Sequence, residues 1–420
     1  MRAGQVIALA VIGLLTIGVM MVNSATMHVE AMGDPAAGAV TTSASSIMFS
    51  RATVYMALAV GAMAFAAFVP VRRLAGYAEA WAPRAFTIVL AASVGLVAFC
   101  ALAYVPALER KINGSHRWIQ ITETLSMQPS EVAKWAMVLL IALYGASRVR
   151  VIHEFWRGLV PALFCVGLVA GFIVLEDLGT GVLIGVVACL MLLAAGARLR
   201  YFMMAVPVAL IGIAGAIITS PYRVKRILAF IDPYEDPKGI GYHTIQSLLA
   251  IANGGGFGRG LGHGLQKFNY LPEDHTDFIF AIICEELGIA GAALVTALFA
   301  TLVWTGFMVM RREQNPLLRL VVLGVIATVG VQAVINLMVV TGMAPTKGIA
   351  LPLLSYGGTG WILTAASLGL VISIDRTQHE GVEAGLEEVP ISAESPIIEA
   401  APLPVARMTP SEPEVAVPAA

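Results

Sequence analysis

Ten stretches of this chain are almost free of charge and long enough to read as membrane helices: residues 5–22, 54–71, 86–105, 131–146, 159–174, 179–195, 202–219, 278–310, 317–340 and 357–374. Most approach the ~20 residues needed to cross a hydrocarbon core of ~30 Å. The first follows Arg2 and has no small-residue cleavage site after it, so it reads as a span and not as a secretory signal. Only Glu176, Asp177 and Leu178 separate the fifth span from the sixth, which requires a tight turn near one surface. An even number of spans returns both termini to the same side. The longest polar interruption, 222–276, is a large loop between the seventh and eighth spans.

Composition agrees with this pattern. Of 420 residues, 58% are hydrophobic and 13% charged, far from the quarter of charged residues in soluble domains. The fold class that follows is an all-α polytopic integral membrane protein. A net charge of -1 without a basic stripe excludes a nucleic-acid partner. Cys100, Cys165, Cys189 and Cys284 lie in apolar segments without metal-ligand spacing and read as small buried hydrophobes. Residues 1–375 form the membrane domain. From 376 to 420 glutamates sit among Pro, Ala and Val, a composition that predicts a flexible tail.

Charge also orients the spans. Arg72, Arg73, Arg84, Arg148, Arg150, Arg157, Arg198, Arg200, Arg311, Arg312 and Arg376 share the side of the N-terminus, as the positive-inside rule expects of the cytoplasm. The lysines, with Arg110, Arg117, Arg223, Arg226 and Arg259, fall on the other side or inside a helix near it. Cations held against the bias suggest an anionic ligand on the extracytoplasmic face; the competing reading is that long loops cross regardless of charge.

The candidate chemistry lies at that face. Residues 239–288 combine a glycine density that no ordinary helix tolerates with Arg259, Lys267, His275 and Asp277 at the start of the eighth span. A partly desolvated carboxylate at a cavity mouth suits a general base, but Asp277 is equally a preferred N-cap for the helix that follows. Glu131 and Lys134, at i and i+3 on the opening turn of the fourth span, form an ion pair that is either structural or part of a site. Asp177 is an acid at the same surface. Of Glu285 and Glu286 at least one faces inward, since a lipid-facing carboxylate is too costly. Gln332 and Asn336 read as hydrogen-bonding glue between helices. The Pro- and Gly-rich stretch 344–360 places Lys347, Ser355 and Tyr356 in irregular backbone, which survives at membrane depth only against protein or a cavity.

The strings NGSHRWI, QPSEVAKWA, EDLGTGVLI, SPYRVKRILAFIDPYEDPKGIGYHTIQSLLAI, GRGLGHGLQKFNYLPEDHTDFIFAIICEELG and APTKGIALPLLSYGGTG resemble the SEDS family (shape, elongation, division and sporulation proteins) over most of 113–374. The strings YRVKRILAFIDPYEDP and PTKGIALPLLSYGG look more like the cell-division type, FtsW, than the elongation type, RodA. The family's usual SYGGSS stands here as SYGGTG, with Thr359 and Gly360. The resemblance implies a ten-helix peptidoglycan glycosyltransferase of the bacterial inner membrane, acting on lipid II, a disaccharide-pentapeptide on undecaprenyl pyrophosphate. It implies Asp277 as the essential acid, with Glu131, Lys134 and Asp177 beside it, and a class B penicillin-binding protein transpeptidase and other divisome membrane proteins as partners. Arg117, Arg223, Arg226, Arg259, Lys267, His275, Lys347, Ser355 and Tyr356 complete the expected substrate site. A divalent metal, Mg2+ or Mn2+, held by Asp277, Glu131 or Asp177 would fit a pyrophosphate leaving group. A lipid II flippase and a scaffold that recruits the transpeptidase are the competing functions.

Overall fold

The computed structural model describes residues 2–31, 50–106, 109–112, 115–120, 126–266, 276–356 and 358–387. The chain divides into two units, Met1–His379 and Glu380–Ala420, and the description below concerns the first. In chain order the helices are α1 (Ala3–Ala31), α2 (Arg51–Phe68), α3 (Val71–Ala80), α4 (Ala85–Ala101), α5 (Pro129–Ser147), α6 (Val160–Glu176), α7 (Leu178–Ala194) and α8 (Leu199–Ile218). Then come α9 (Pro221–Ile231), α10 (Tyr242–Gly254), α11 (Ile279–Arg312), α12 (Pro316–Val340) and α13 (Thr359–Glu387). All ten predicted spans are helical, as α1, α2, α4 to α8 and α11 to α13. Among the described residues eight helices are long and apolar enough to cross a membrane, and α7 is a shorter apolar helix. The chain is a multi-pass membrane protein. The last helix continues to Glu387, beyond the predicted span end at 374; the rest of the acidic tail, 388–420, lies outside the described residues.

Local chemistry sets several helix ends. Asn315 accepts from Leu317 and Leu318 N–H at 2.9 and 3.2 Å, with Pro316 at the first position of α12. Asp177, the single residue between α6 and α7, does the same for α7 by accepting from Thr180 N–H. Helix α12 sits centrally, packed on α5, α7 and α11. Hydrocarbon gives no hydrophobic drive between helices, so close approach over small residues matters. A Cβ on Gly324 would fall 2.5 Å from Val138 Cγ1 and 2.7 Å from Met191 Sδ. At the end of the bundle away from Asp277, Glu313 accepts from Arg72 at 3.3 Å and Gln378 at 2.8 Å, and Asp375 accepts from Gly4 N–H at 2.7 Å. Helix α8 is the outlier: of its residues only Phe202 is buried.

The polar interruptions hold structure that the hydrophobic pattern does not reveal. The 222–276 loop contains α9 and α10, the latter packed along α11. Before α5 lies a three-stranded antiparallel sheet of β1 (Glu109–Ile112), β2 (Ser115–Gln120) and β3 (Ser126–Met127). Glu109 pairs with Ile119 and Ile119 with Met127. The Asn-Gly dipeptide at 113–114 is the sequence signal for that hairpin. Strand β2 carries Arg117 and packs on α5 and α6.

Candidate active site

The glycine-rich stretch is spliced into α11. In an unbroken helix the Glu285 and Glu286 carbonyls would accept from Ile289 and Ala290 N–H. At Gly288 the backbone leaves the helical region, with φ 66° and ψ -161°, and all four groups turn to the loop. Arg259 N–H donates to Glu285 O and Gly260 N–H to Glu286 O, both at 3.0 Å. Ile289 and Ala290 N–H donate to Gly255 O and Gly256 O at 3.0 and 3.3 Å. The two carboxylates are fully buried and are wrapped by the same loop. Leu265 and Gln266 N–H donate to Glu285 at 2.9 and 3.1 Å, and Gly262 and Gly264 N–H to Glu286 at 3.1 and 3.3 Å. Ser24 Oγ of α1 lies 3.0 Å from both Glu286 oxygens. Both acids face inward, and the irregular backbone at membrane depth is satisfied by them.

This splice explains the glycines. A Cβ on Gly288 would sit 2.3 Å from Gly258 N, in a backbone region that only glycine occupies. Gly288→Ala is therefore expected to destabilise the protein by about 3 kcal/mol, read as a lowered melting temperature in detergent. Gly171→Ala, with open space around it, is the control expected to melt like the wild type. Equal melting of the two variants would show that the splice does not constrain Gly288.

Asp277 lies just before α11. The helix takes Phe278 as its N-cap and no side chain caps it, so the capping role open to Asp277 is not the one it fills. Its carbonyl accepts from Asn336 Nδ2 at 2.9 Å, and the same nitrogen donates to Ile349 O at 2.8 Å. The next residue, Phe278, stacks on His243 of α10 with ring centroids 5.9 Å apart. Opposite the carboxylate lies Gly348. A Cβ there would fall 3.2 Å from Asp277 Oδ2 and 3.6 Å from Arg117 Nη1. The missing side chain thus leaves a bare backbone surface flanked by an acid and a guanidinium.

The strand of chain from 344 to 356 gathers most of the remaining candidates. Arg226 donates to Thr346 O at 3.1 Å. Burial pushes the Lys347 ammonium below the ordinary lysine value of 10.5, and the Asp177 carboxylate opposes that shift. Asp177 accepts from Thr180 N–H at 3.0 Å and from its hydroxyl at 2.8 Å, with Gln128 Nε2 at 3.4 Å. Gln332 donates to Ala350 O at 2.8 Å and accepts from Lys134 at 2.9 Å. Lys134, with 3% of its side chain exposed, donates in turn to Glu131 at 2.8 Å. The pair read from i,i+3 spacing is thereby wired through α12 to the loop beside Asp277. A Cβ on Gly360 would lie 3.6 Å from Glu131 Oε2. Ser355 closes the strand on itself, its hydroxyl accepting from Leu351 N–H at 2.7 Å, while Tyr356 meets Tyr55 edge-on at 6.3 Å.

Residues 5–380 match the family model described as cell cycle protein, that of FtsW, RodA and SpoVE. The chain belongs to this family. It is 40% identical over 279 residues to stage V sporulation protein E of Bacillus subtilis, covering 66% of this chain and 75% of the relative. It is 35% identical over 376 residues to a probable peptidoglycan glycosyltransferase FtsW of Geobacter metallireducens, covering 89% and 94%. Among solved structures, a chain of a peptidoglycan synthase complex that coordinates polymerization and crosslinking is similar with TM-score 0.67 at 26% identity, covering 89% and 98%. Thermus thermophilus RodA, with TM-score 0.57 at 23% identity and 89% and 96% covered, shares the fold.

Two cations expected at the site of this family member are engaged elsewhere. Arg223 donates to the carbonyls of Ala216, Val174 and Leu175 at 2.9, 2.7 and 2.6 Å, closing the ends of α6 and α8. Arg259 lies 3.6 Å from Glu285 within the splice. Basic charge in a loop does not reveal whether its partner is a ligand or an orphaned helix-end carbonyl. Lys267 and His275 lie outside the described residues. Sequence reading favours a helix-joining role for Gln332 and Asn336 over substrate binding; Gln332 does join α12 to α5 through Lys134, and both also fasten the site loop. For the divalent metal, no group of three His, Cys, Asp or Glu side chains among the described residues is arranged to hold an ion. Glu131 is engaged by Lys134 and Asp177 by Thr180, so Asp277, Glu131 and Asp177 do not form a ready-made cage.

Proposed function

We propose that this chain polymerises lipid II into β-1,4 glycan and releases undecaprenyl pyrophosphate. The observation that carries this reading is the bare backbone of Gly348 between the Asp277 carboxylate and the Arg117 guanidinium. The acceptor's sugar 4-hydroxyl attacks the anomeric carbon of the donor. Asp277 takes the hydroxyl proton as the new C–O bond forms and the bond to pyrophosphate breaks. Pyrophosphate leaves as a stable anion, so no second carboxylate is needed as an acid, unlike in a glycosidase. Arg117 and Lys347 offset the charge that develops on it. An Mg2+ or Mn2+ ion in this scheme would arrive with the pyrophosphate, since Mg2+ binds through one or two carboxylates plus phosphate; no step above passes through it.

The setting fits a lipid-linked donor, whose polyprenyl chain stays in the bilayer while the sugars reach the Asp277 end. The arginine bias supports the inner membrane with cytoplasmic termini and Asp277 on the extracytoplasmic side. Similarity to relatives named FtsW and to a chain of a peptidoglycan synthase complex supports a septal role beside a class B penicillin-binding protein, with other divisome proteins around them.

Product analysis tests the reading. A single displacement inverts the α-linked donor, so the polymer should be cut by a muramidase specific for β-1,4 bonds. A lipid II analogue lacking the 4-hydroxyl should terminate chains. Polymer that resists the muramidase, or continued growth on the blocked acceptor, would overturn the mechanism.

The Lys347 assignment carries a pH prediction. Its folded pKa lies below 10.5, so the ammonium is lost at a lower pH than for an ordinary lysine. In the free enzyme, which kcat/KM reports, activity should therefore fall on the alkaline side below that value. Lys347→Arg should move that fall to higher pH, because a guanidinium stays charged. An unmoved alkaline limb in Lys347→Arg would remove Lys347 from the pyrophosphate site.

A further inference from the structure

We propose that Asn336 is a positioning residue for Asp277, holding the acid and the Lys347–Gly348 turn in register through one forked amide. This inference rests on Asp277 being the base. Asn336 is 1% exposed, and its Nδ2 donates to Asp277 O at 2.9 Å and to Ile349 O at 2.8 Å. The first contact ties the backbone that aims the carboxylate to α12, just ahead of the first turn of α11, where Ala281 N–H donates to Phe278 O at 2.9 Å. The same amide fixes Ile349, whose predecessor Gly348 faces Asp277 Oδ2.

The amide makes these contacts at a cost. Asn336 Oδ1 is buried without a hydrogen-bond partner among the described residues, an arrangement that lowers stability and that an apolar side chain of similar size would avoid. One turn earlier Gln332 fastens the adjacent carbonyl, Ala350 O, so the two side chains at i and i+4 hold consecutive peptide groups of the loop. With Gln332 tied to Lys134, the loop is pinned from α5 and α12, and Asn336 extends that pinning to Asp277.

The test uses the full-length protein with lipid II, measuring kcat, KM and melting temperature for Asn336→Leu and for the isosteric Asn336→Asp, both of which lack the two donors. Displacing the acid by about 1 Å should lower kcat about 10²-fold while KM changes by less than roughly threefold. Folded protein should still melt cooperatively. Wild-type kcat in both variants overturns the proposal, as does a raised KM with unchanged kcat. Failure of both variants to fold also overturns it, because Asn336 would then hold the fold alone. Asp277→Asn is run beside them: inactivity there with wild-type kinetics in the Asn336 variants sinks the positioning role only. An active Asp277→Asn sinks the base assignment and the positioning role together.

Discussion

Asp277→Asn should reduce lipid II polymerisation by about 10³-fold or more, within the range lost when a general base is removed, while leaving the protein folded. The substitution keeps the main-chain contact that α12 makes with residue 277. The helix after it takes Phe278 as N-cap and no side chain caps it, and Asn336 grips the Asp277 main-chain carbonyl, which the substitution retains. The amide has nearly the same shape, so the space beside Gly348 stays as it is. What disappears is the lone pair that takes the hydroxyl proton in the proposed mechanism. Melting temperature and lipid II binding should therefore be close to wild type. Polymerisation at wild-type rates by Asp277→Asn would remove the acid from the mechanism.

The second large effect is expected at Lys134. Its ammonium links Glu131 to Gln332 and is almost entirely out of water. Lys134→Met leaves the Glu131 carboxylate without its cation and the Gln332 carbonyl without its donor. Removing one member of a buried pair costs about 3–5 kcal/mol. The lower end applies, because the Glu131 side chain keeps 18% exposure. Activity should fall further than stability, since Gln332 also holds Ala350 of the site loop. The charge-swapped double variant Glu131→Lys with Lys134→Glu restores an ion pair but sets a carboxylate against the Gln332 carbonyl, so it should stay inactive. Full activity in the swapped protein would reduce the pair to a structural contact.

Hydropathy located the ten spans because it reports the free energy of moving side chains into hydrocarbon, and that term alone decides where a helix can cross. It left α9, α10 and the β1–β3 sheet inside stretches read as loops, since these elements are short and half polar. The glycines of 254–264 pointed to irregular backbone but not to its cause. The cause is a helix opened at Gly288, whose freed carbonyls and N–H groups are met by backbone that leaves no side-chain signature. The acids at 285 and 286 announced burial and revealed nothing of their partners, for the same reason.

The site was legible in part. Asp277, Glu131, Lys134 and Asp177 stood out because charge beside an apolar span needs an explanation. Their proximity to the 344–356 segment did not stand out, because that segment is fastened through the carbonyls of Thr346, Ile349 and Ala350, which accept from Arg226, Asn336 and Gln332. Arg223 and Arg117 look alike in sequence, yet one closes helix ends and the other lies beside Gly348.

The central claim is that the chain makes glycan instead of moving its precursor, and a bilayer-free assay tests it most directly. Purified full-length protein with its transpeptidase partner, in detergent micelles, is given fluorescent lipid II, and products are separated by length. Micelles have no second compartment, so a flippase has nothing to transport. The account predicts polymer from the wild type, undecaprenyl pyrophosphate released for each bond formed, and no polymer from Asp277→Asn. Lipid II that is bound by both proteins and polymerised by neither would contradict it.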